Sequence, residues 1–271
     1  MKAALLQLNS GDCPAENLVR TTALIEEAAA SGAEFIATPE VTNCVSVSRA
    51  RQMEVLHVEV DDITLTKLRD LAAALGVNLL IGSLALKTTD ADGRFANRSF
   101  LIDRSGNITA RYDKIHMFDV TLSEAESYQE SRGYRPGSSA VLGRTDGLNI
   151  GMTICYDVRF PHLYRTLAQA GAEVLMVPSA FAVATGKAHW ETLLRARAIE
   201  TGCYVLAPAQ WGAHEGRETY GHSLAVDPWG NVLSDFGEGI GVSYIEIDKN
   251  QVLKARKRVP AWGHNQLFEG P

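Results

Sequence analysis

Short apolar runs that stop on a polar or ionisable residue recur along the chain. One covers 2–8, another is Phe35-Ile36-Ala37-Thr38-Pro39-Glu40, and others cover 77–86, 96–103, 148–155, 174–178, 204–209, 222–226 and 242–247. Rich in Val, Ile and Leu with little polar alternation, they predict strands covered on both faces. Helical patterns lie between them, over 17–30, 64–74, 161–170, 187–201 and 249–258, and a glycine stops several of these. Gly32-Ala33-Glu34-Phe35-Ile36-Ala37-Thr38-Pro39 recurs as Gly171-Ala172-Glu173-Val174-Leu175-Met176-Val177-Pro178, each copy after an Ala-rich helix. Two βαβ-like halves related by a pseudo-twofold follow from that echo. Turn sequences such as Asp103-Arg104-Ser105-Gly106-Asn107 and Asp227-Pro228-Trp229-Gly230-Asn231 add hairpins, so the sheets are mixed. The expected fold is α/β (α+β), a four-layer αββα sandwich.

Composition narrows the function. The 271 residues are 46% hydrophobic and 21% charged, with no linker and no low-complexity stretch, so a single domain over 1–271 is expected. A net charge of −6 and the lack of a long basic block argue against nucleic acid as a partner. The short cluster Lys254, Arg256, Lys257 and Arg258 reads as the solvated face of the last helix. No segment has membrane-spanning length, and Asn9, Gly11 and Asp12 arrive too soon for a signal-peptide core. The chain reads as cytoplasmic. Its cysteines, Cys13, Cys44, Cys155 and Cys203, form no C-x-x-C pair, so reduced thiols are expected.

Three of the runs end on chemically complementary groups. Cys155 closes 148–155 directly before the polar segment Tyr156-Asp157-Val158-Arg159-Phe160-Pro161, which places a thiol where a buried strand opens into a loop. Glu40 ends the second run, and Lys114 ends the extended segment 108–114. A thiol near its reference pKa of about 8.5 is mostly protonated in a cell, so a nucleophilic cysteine needs a base or cation beside it. Glu40 suits the base. Lys114 suits a cation that lowers the thiol pKa and meets a developing oxyanion, with the Tyr156 N–H as a second donor.

Thr38-Pro39-Glu40, Tyr112-Asp113-Lys114-Ile115-His116 and Ile154-Cys155-Tyr156-Asp157-Val158-Arg159-Phe160-Pro161, in that order, resemble the signature segments of the nitrilase or carbon–nitrogen hydrolase superfamily. The similarity extends over nearly the whole chain. It implies a Glu-Lys-Cys triad on an αββα sandwich, no metal or other cofactor, and homodimers or larger assemblies. It also implies a second glutamate, matched here by Glu130 ahead of Arg135-Pro136-Gly137, with Glu124 and Glu126 nearby as alternatives. The segments 193–205 and 220–230 look most like the deaminated glutathione amidase branch. That resemblance implies hydrolysis of the terminal primary amide of a small carboxylate-bearing substrate, deaminated glutathione foremost, through a Cys155 thioester with release of ammonia. The ω-amidase branch, acting on α-ketoglutaramate and α-ketosuccinamate, is the nearest alternative.

Other readings stay open. Arg159 suits either a clamp for a substrate carboxylate or an ion pair with Asp157. Phe181 and Thr185 are expected to touch substrate, while His189 and Trp190 cap and pack the following helix. His116 shares a strand face with Lys114 if the chain stays extended, which allows a Cys–His pair. Arg195 is expected to pair with Glu191 along their helix. Cys13, Cys44 and Cys203 read as packing residues, with Cys44 bordering the site. Glu40, Asp157 and His222 can also be cast as ligands of a metal-dependent phosphodiesterase, another class with αββα architecture. The segments 121–137 and 211–219 carry no periodic pattern from which a pocket shape can be read.

Overall fold

The computed structural model describes residues 1–124, 126–145 and 147–270; Pro271, the last residue of the expected domain, lies outside them. In the first half the strands are β1 (Lys2–Gln7), β2 (Phe35–Ala37), β3 (Asn78–Leu86), β4 (Ala96–Ile102), β5 (Ile108–Asp113), β6 (Asp119–Thr121) and β7 (Ser127–Gln129). In the second they are β8 (Val141–Thr145), β9 (Leu148–Met152), β10 (Val174–Met176), β11 (Tyr204–Ala207), β12 (Trp211–His214), β13 (Arg217–Tyr220), β14 (Leu224–Val226), β15 (Val232–Asp235) and β16 (Gly241–Glu246). The helices are α1 (Pro14–Ala30), α2 (Arg49–Val55), α3 (Ile63–Leu75), α4 (Pro161–Gln169), α5 (Val183–Thr201) and α6 (Lys249–Arg258).

Two six-stranded sheets form, in the orders β16-β1-β2-β3-β4-β5 and β15-β14-β11-β10-β9-β8. Read from β8, the second sheet repeats the first: β1-β2-β3 and β9-β10-β11 are parallel triplets, each flanked by antiparallel strands. The two Gly-Ala-Glu copies run into β2 and β10, which are equivalent strands in this order. The pseudo-twofold expected from the echo is thus present in the strand order.

Alternation along β1 shows the layering. Ala4 and Leu6 pack with Ile25 and Ala28 of α1 and Leu65, Leu68 and Ala72 of α3. Ala3 and Leu5 belong instead to the core shared with Ile150, Met152 and Leu175 of the second sheet. Successive side chains point to opposite faces, so a strand covered by helices and by another sheet must be apolar throughout. Leu163, Tyr164 and Leu167 of α4 and Trp190, Leu194 and Ala198 of α5 complete the sandwich on the other side.

Some boundaries differ from the sequence pattern. Helix α5 starts at Val183, four residues before the expected 187, so Thr185 lies in its first turn. Strand β14 starts at Leu224 and not at 222, because His222 takes a positive φ of 54°, outside strand geometry. The patternless segments fold as two antiparallel hairpins, β6-β7 and β12-β13. Among the described residues, no helix is long and apolar enough to cross a membrane.

Gly82 marks where the two halves meet. A Cβ there would lie 2.0 Å from the Thr38 carbonyl oxygen, 2.5 Å from that of Pro39 and 2.5 Å from Pro178 Cβ. The two Pro-containing ends of the echoed segments therefore close on a bare backbone. The loops that follow them reach the same cavity.

Candidate active site

Glu40 lies three residues past β2, in a tight turn in which Thr38 Oγ1 contacts Thr42 Oγ1 at 2.7 Å and accepts from the Gly82 N–H at 3.0 Å. Val41 beside it has φ 48°. Cys155 sits at the break between β9 and α4, where a 3₁₀ turn over Cys155–Arg159 begins, and its φ is 47°. Left-handed backbone is uncommon for non-glycine residues and clusters at functional sites. The Cys155 N–H donates to the Pro178 carbonyl at 3.0 Å, which fixes the elbow against the second echoed segment.

Lys114 directly follows β5, and its N–H extends the ladder by donating to the Asn97 carbonyl at 3.0 Å. Its buried Nζ donates to Glu40 Oε1 at 2.8 Å and to both Glu130 oxygens at 2.9 Å. Hairpin β6-β7 delivers Glu130, whose Oε2 also accepts from the Phe118 N–H at 2.6 Å. Of the three candidate glutamates it is Glu130 that meets Lys114; Glu126 instead accepts from the Tyr128 hydroxyl at 2.8 Å, and Glu124 is exposed. Glu40 Oε1 accepts further from Asn97 Nδ2 at 2.9 Å, and Oε2 from the Ala180 N–H at 2.8 Å. The Cys155 thiol lies within hydrogen-bonding reach of the Glu40 carboxylate and the Ala180 N–H.

These contacts govern charge. Burial works against the Glu40 carboxylate, but the Lys114 ammonium and the hydrogen bonds around it outweigh burial and hold its pKa below the ordinary carboxylate range. Burial likewise opposes the Lys114 ammonium, and the Glu130 and Glu40 charges overcome it, so Lys114 stays protonated. Burial, then the Glu40 charge, pushes the Cys155 thiol well up, against the pull of Lys114. The resting site is a protonated thiol beside an ionised carboxylate.

One cavity of about 300 Å³ is lined by Glu40, Lys114, Glu130, Cys155, Tyr156, Phe181 and Thr185, with Cys44 also on its wall. That volume is at the lower end for small-molecule sites. Burial pushes the Cys44 thiol up to about 12. Arg159 is not itself among the residues of the cavity wall. Its two Nη atoms lie 3.3 Å from His189 Nδ1, and its guanidinium sits 5.5 Å from the Phe181 ring and 5.8 Å from that of Tyr156. Nor does it pair with Asp157, whose oxygens accept from the Tyr112 hydroxyl at 2.6 Å and the Ile154 N–H at 2.9 Å, and meet His116 Nδ1 at 2.7 Å. His116 is therefore turned to Asp157 and stacked on Phe160 at 3.5 Å, not paired with Cys155. His222 faces Asp235 at 3.0 Å, so Glu40, Asp157 and His222 belong to three separate networks and form no shared ligand set. Trp190 is buried, and Arg195 pairs with Glu191 at 3.1 Å.

Sequence reasoning missed Asn97, the Ala180 N–H and Arg217, which also lines the cavity. Asn97 had a legible signal, a polar side chain inside a run read as a buried strand. Arg217 had none, because its segment carries no pattern.

The model for the carbon–nitrogen hydrolase family matches residues 2–257. The chain belongs to the carbon–nitrogen hydrolase family. As a carbon–nitrogen hydrolase it is an enzyme of the amidase type. It is 39% identical to the deaminated glutathione amidase of a Synechocystis strain over 97% of each chain. To the deaminated glutathione amidase of Homo sapiens it is 38% identical, over 97% of this chain and 81% of that one. Among solved structures, the Caenorhabditis elegans NitFhit protein matches this hydrolase with a TM-score of 0.90 at 35% identity, covering 98% of this chain and 65% of that one.

Proposed function

We propose that Glu40, Lys114 and Cys155 are the catalytic triad of an amidase acting on deaminated glutathione. The observation that carries the triad is the Lys114 ammonium bonded to both Glu40 and Glu130 in the cavity that holds Cys155. The substrate is supported by the names of the relatives, at 37–39% identity over nearly the full length of this chain.

Glu40 takes the Cys155 proton as sulfur bonds to the amide carbon, and the carbonyl π electrons move onto oxygen. The oxyanion rests on the Lys114 ammonium and the Tyr156 N–H. The C–N bond then breaks, the Glu40 proton passes to the leaving nitrogen, and a thioester on Cys155 remains. Glu130 holds Lys114 and orients the leaving amine. Glu40, again ionised, takes a proton from water, whose oxygen attacks the thioester; the acid leaves and Cys155 recovers its proton.

The expected primary amide with release of ammonia does not fit deaminated glutathione, which carries secondary amides, so its leaving group is the amine of a dipeptide. Ammonia is the leaving group for a primary amide such as α-ketoglutaramate. Both compounds hold the ω-amide of 2-oxoglutarate, so one triad can act on either.

The whole chain acts as one catalytic domain, since the cavity takes groups from both sheets. A homodimer is supported by the exposed apolar side chains of Ile199 on α5, Leu253 on α6 and the terminal Leu267 and Phe268. Free thiols at all four cysteines support a reducing, cytoplasmic location.

The test is release of 2-oxoglutarate from deaminated glutathione and α-ketoglutaramate in parallel. A higher kcat/KM for the first is expected, and the opposite preference moves the protein to the ω-amidases. Turnover persisting in Cys155→Ala rules out the thioester route.

A further inference from the structure

The charged groups on the cavity wall are Glu40, Glu130, Lys114 and Arg217. Lys114 is committed to the two carboxylates, so the reacting end holds two anions against one cation. A substrate carboxylate is repelled there and needs a cation elsewhere on the wall. Arg217, at the start of β13, is that cation. It forms no ion pair among the described residues. Its Nη2 donates to the Ala180 carbonyl at 2.6 Å, while its Nε, shielded from solvent, has no hydrogen-bond partner among the described residues. A guanidinium on the wall with no carboxylate paired to it keeps its charge available to an anionic ligand.

Its position gives the side of the substrate. The guanidinium lies 5.9 Å from the ring of Tyr128, two residues before Glu130, the residue assigned to the leaving amine. Through Ala180 it is also tied to the reacting end, since the Ala180 N–H bonds Glu40 at 2.8 Å and its carbonyl accepts from Arg217. One residue spans about 3.5 Å at most, so Arg217 Nη2 lies within roughly 9 Å of Glu40 Oε2. Arg159 stands beside Tyr156 and Phe181, two other residues of the same cavity, and does not itself line it.

We infer that Arg217 binds the carboxylate of the leaving group, the C-terminal carboxylate of the dipeptide released from deaminated glutathione. This rests on the proposed substrate and makes Arg217 the residue that favours it over α-ketoglutaramate, whose leaving group is ammonia.

The experiment compares deaminated glutathione with its analogue in which the C-terminal carboxylate is a carboxamide. A charge-assisted hydrogen bond at such a site corresponds to roughly ten- to hundredfold in affinity. The wild type is expected to prefer the carboxylate form by that factor, mainly through KM, and Arg217→Gln to lose the preference. Arg217→Met, which keeps the length of the side chain without a charged donor, carries the same readout if the first variant does not fold. A preference that survives both substitutions overturns the assignment. An equal loss on both compounds also overturns it, because it marks a role common to both, in holding Ala180 or in binding the 2-oxo acid carboxylate. A wild type that cleaves α-ketoglutaramate but neither glutathione compound removes the proposed substrate, and the inference with it.

Discussion

The Tyr112 hydroxyl donates to Asp157 Oδ2 at 2.6 Å, joining the strand that delivers Lys114 to the turn that delivers Cys155. Asp157 is fully buried, and the same oxygen accepts from the Ile154 N–H at 2.9 Å, just before Cys155. The spacing of cation and thiol thus depends on one carboxylate between the two sheets.

Tyr112→Phe removes one charge-assisted bond and is expected to cost about 1.5–3 kcal/mol of stability. Asp157→Ala is expected to cost more, because it orphans the Tyr112 hydroxyl and the Ile154 N–H in the core. Urea unfolding of both variants measures this, and a Tyr112→Phe protein as stable as wild type contradicts it.

Glu40→Gln keeps the shape of the side chain and removes the proposed base. Loss of general-base assistance is worth roughly 10²- to 10⁴-fold in rate, and the loss is expected in kcat more than in KM. The check is steady-state turnover of deaminated glutathione; a variant within a few-fold of wild type leaves Glu40 outside the chemistry.

The acid side of the stability profile follows from Glu40. Its pKa is held below the ordinary value of 4.5, so its contribution is present above pH 4.5 and is lost as the pH falls through the folded value. Lys114 is raised above 10.5, so its contribution is complete below pH 10.5 and is lost as the pH rises through its folded value. The urea midpoint is expected to fall below pH 4.5, and to fall less there in Glu40→Gln than in wild type. An equally steep fall in both excludes Glu40 as a source.

Gly82→Ala is expected to disrupt the site from a distance. The added carbon would overlap the Thr38 carbonyl at 2.0 Å, and backbone on both sides must move. Overpacking of this kind costs about 1–3 kcal/mol or more, and the shift reaches Glu40 and Ala180. Thermal unfolding together with turnover tests this; a variant matching wild type in both shows that the contact relaxes freely.

Much of the fold was legible because strands covered on both faces must be apolar throughout, and β1, β3, β9 and β11 read that way. The hairpins β6-β7 and β12-β13 were not, since strands of three or four residues on the rim are too short to show a period. The surroundings of Arg159 and His116 were not legible for a related reason. Spacing in the chain describes a side chain's neighbours only while the backbone stays regular, and the Cys155–Arg159 segment is a 3₁₀ turn in which Asp157 captures His116.

Taken alone, the sequence determined the layered α/β architecture, the echo that relates its halves, and the identity of the groups at the ends of the runs reaching Glu40, Lys114 and Cys155. Those properties are local, set by which residues tolerate burial in a strand and which must end one. Only the tertiary structure decided that Asn97 and Ala180 complete the Glu40 contacts and that Arg217 reaches the same cavity. Such contacts join positions 57 to 140 residues apart, and their geometry exists only once the two sheets have packed against each other.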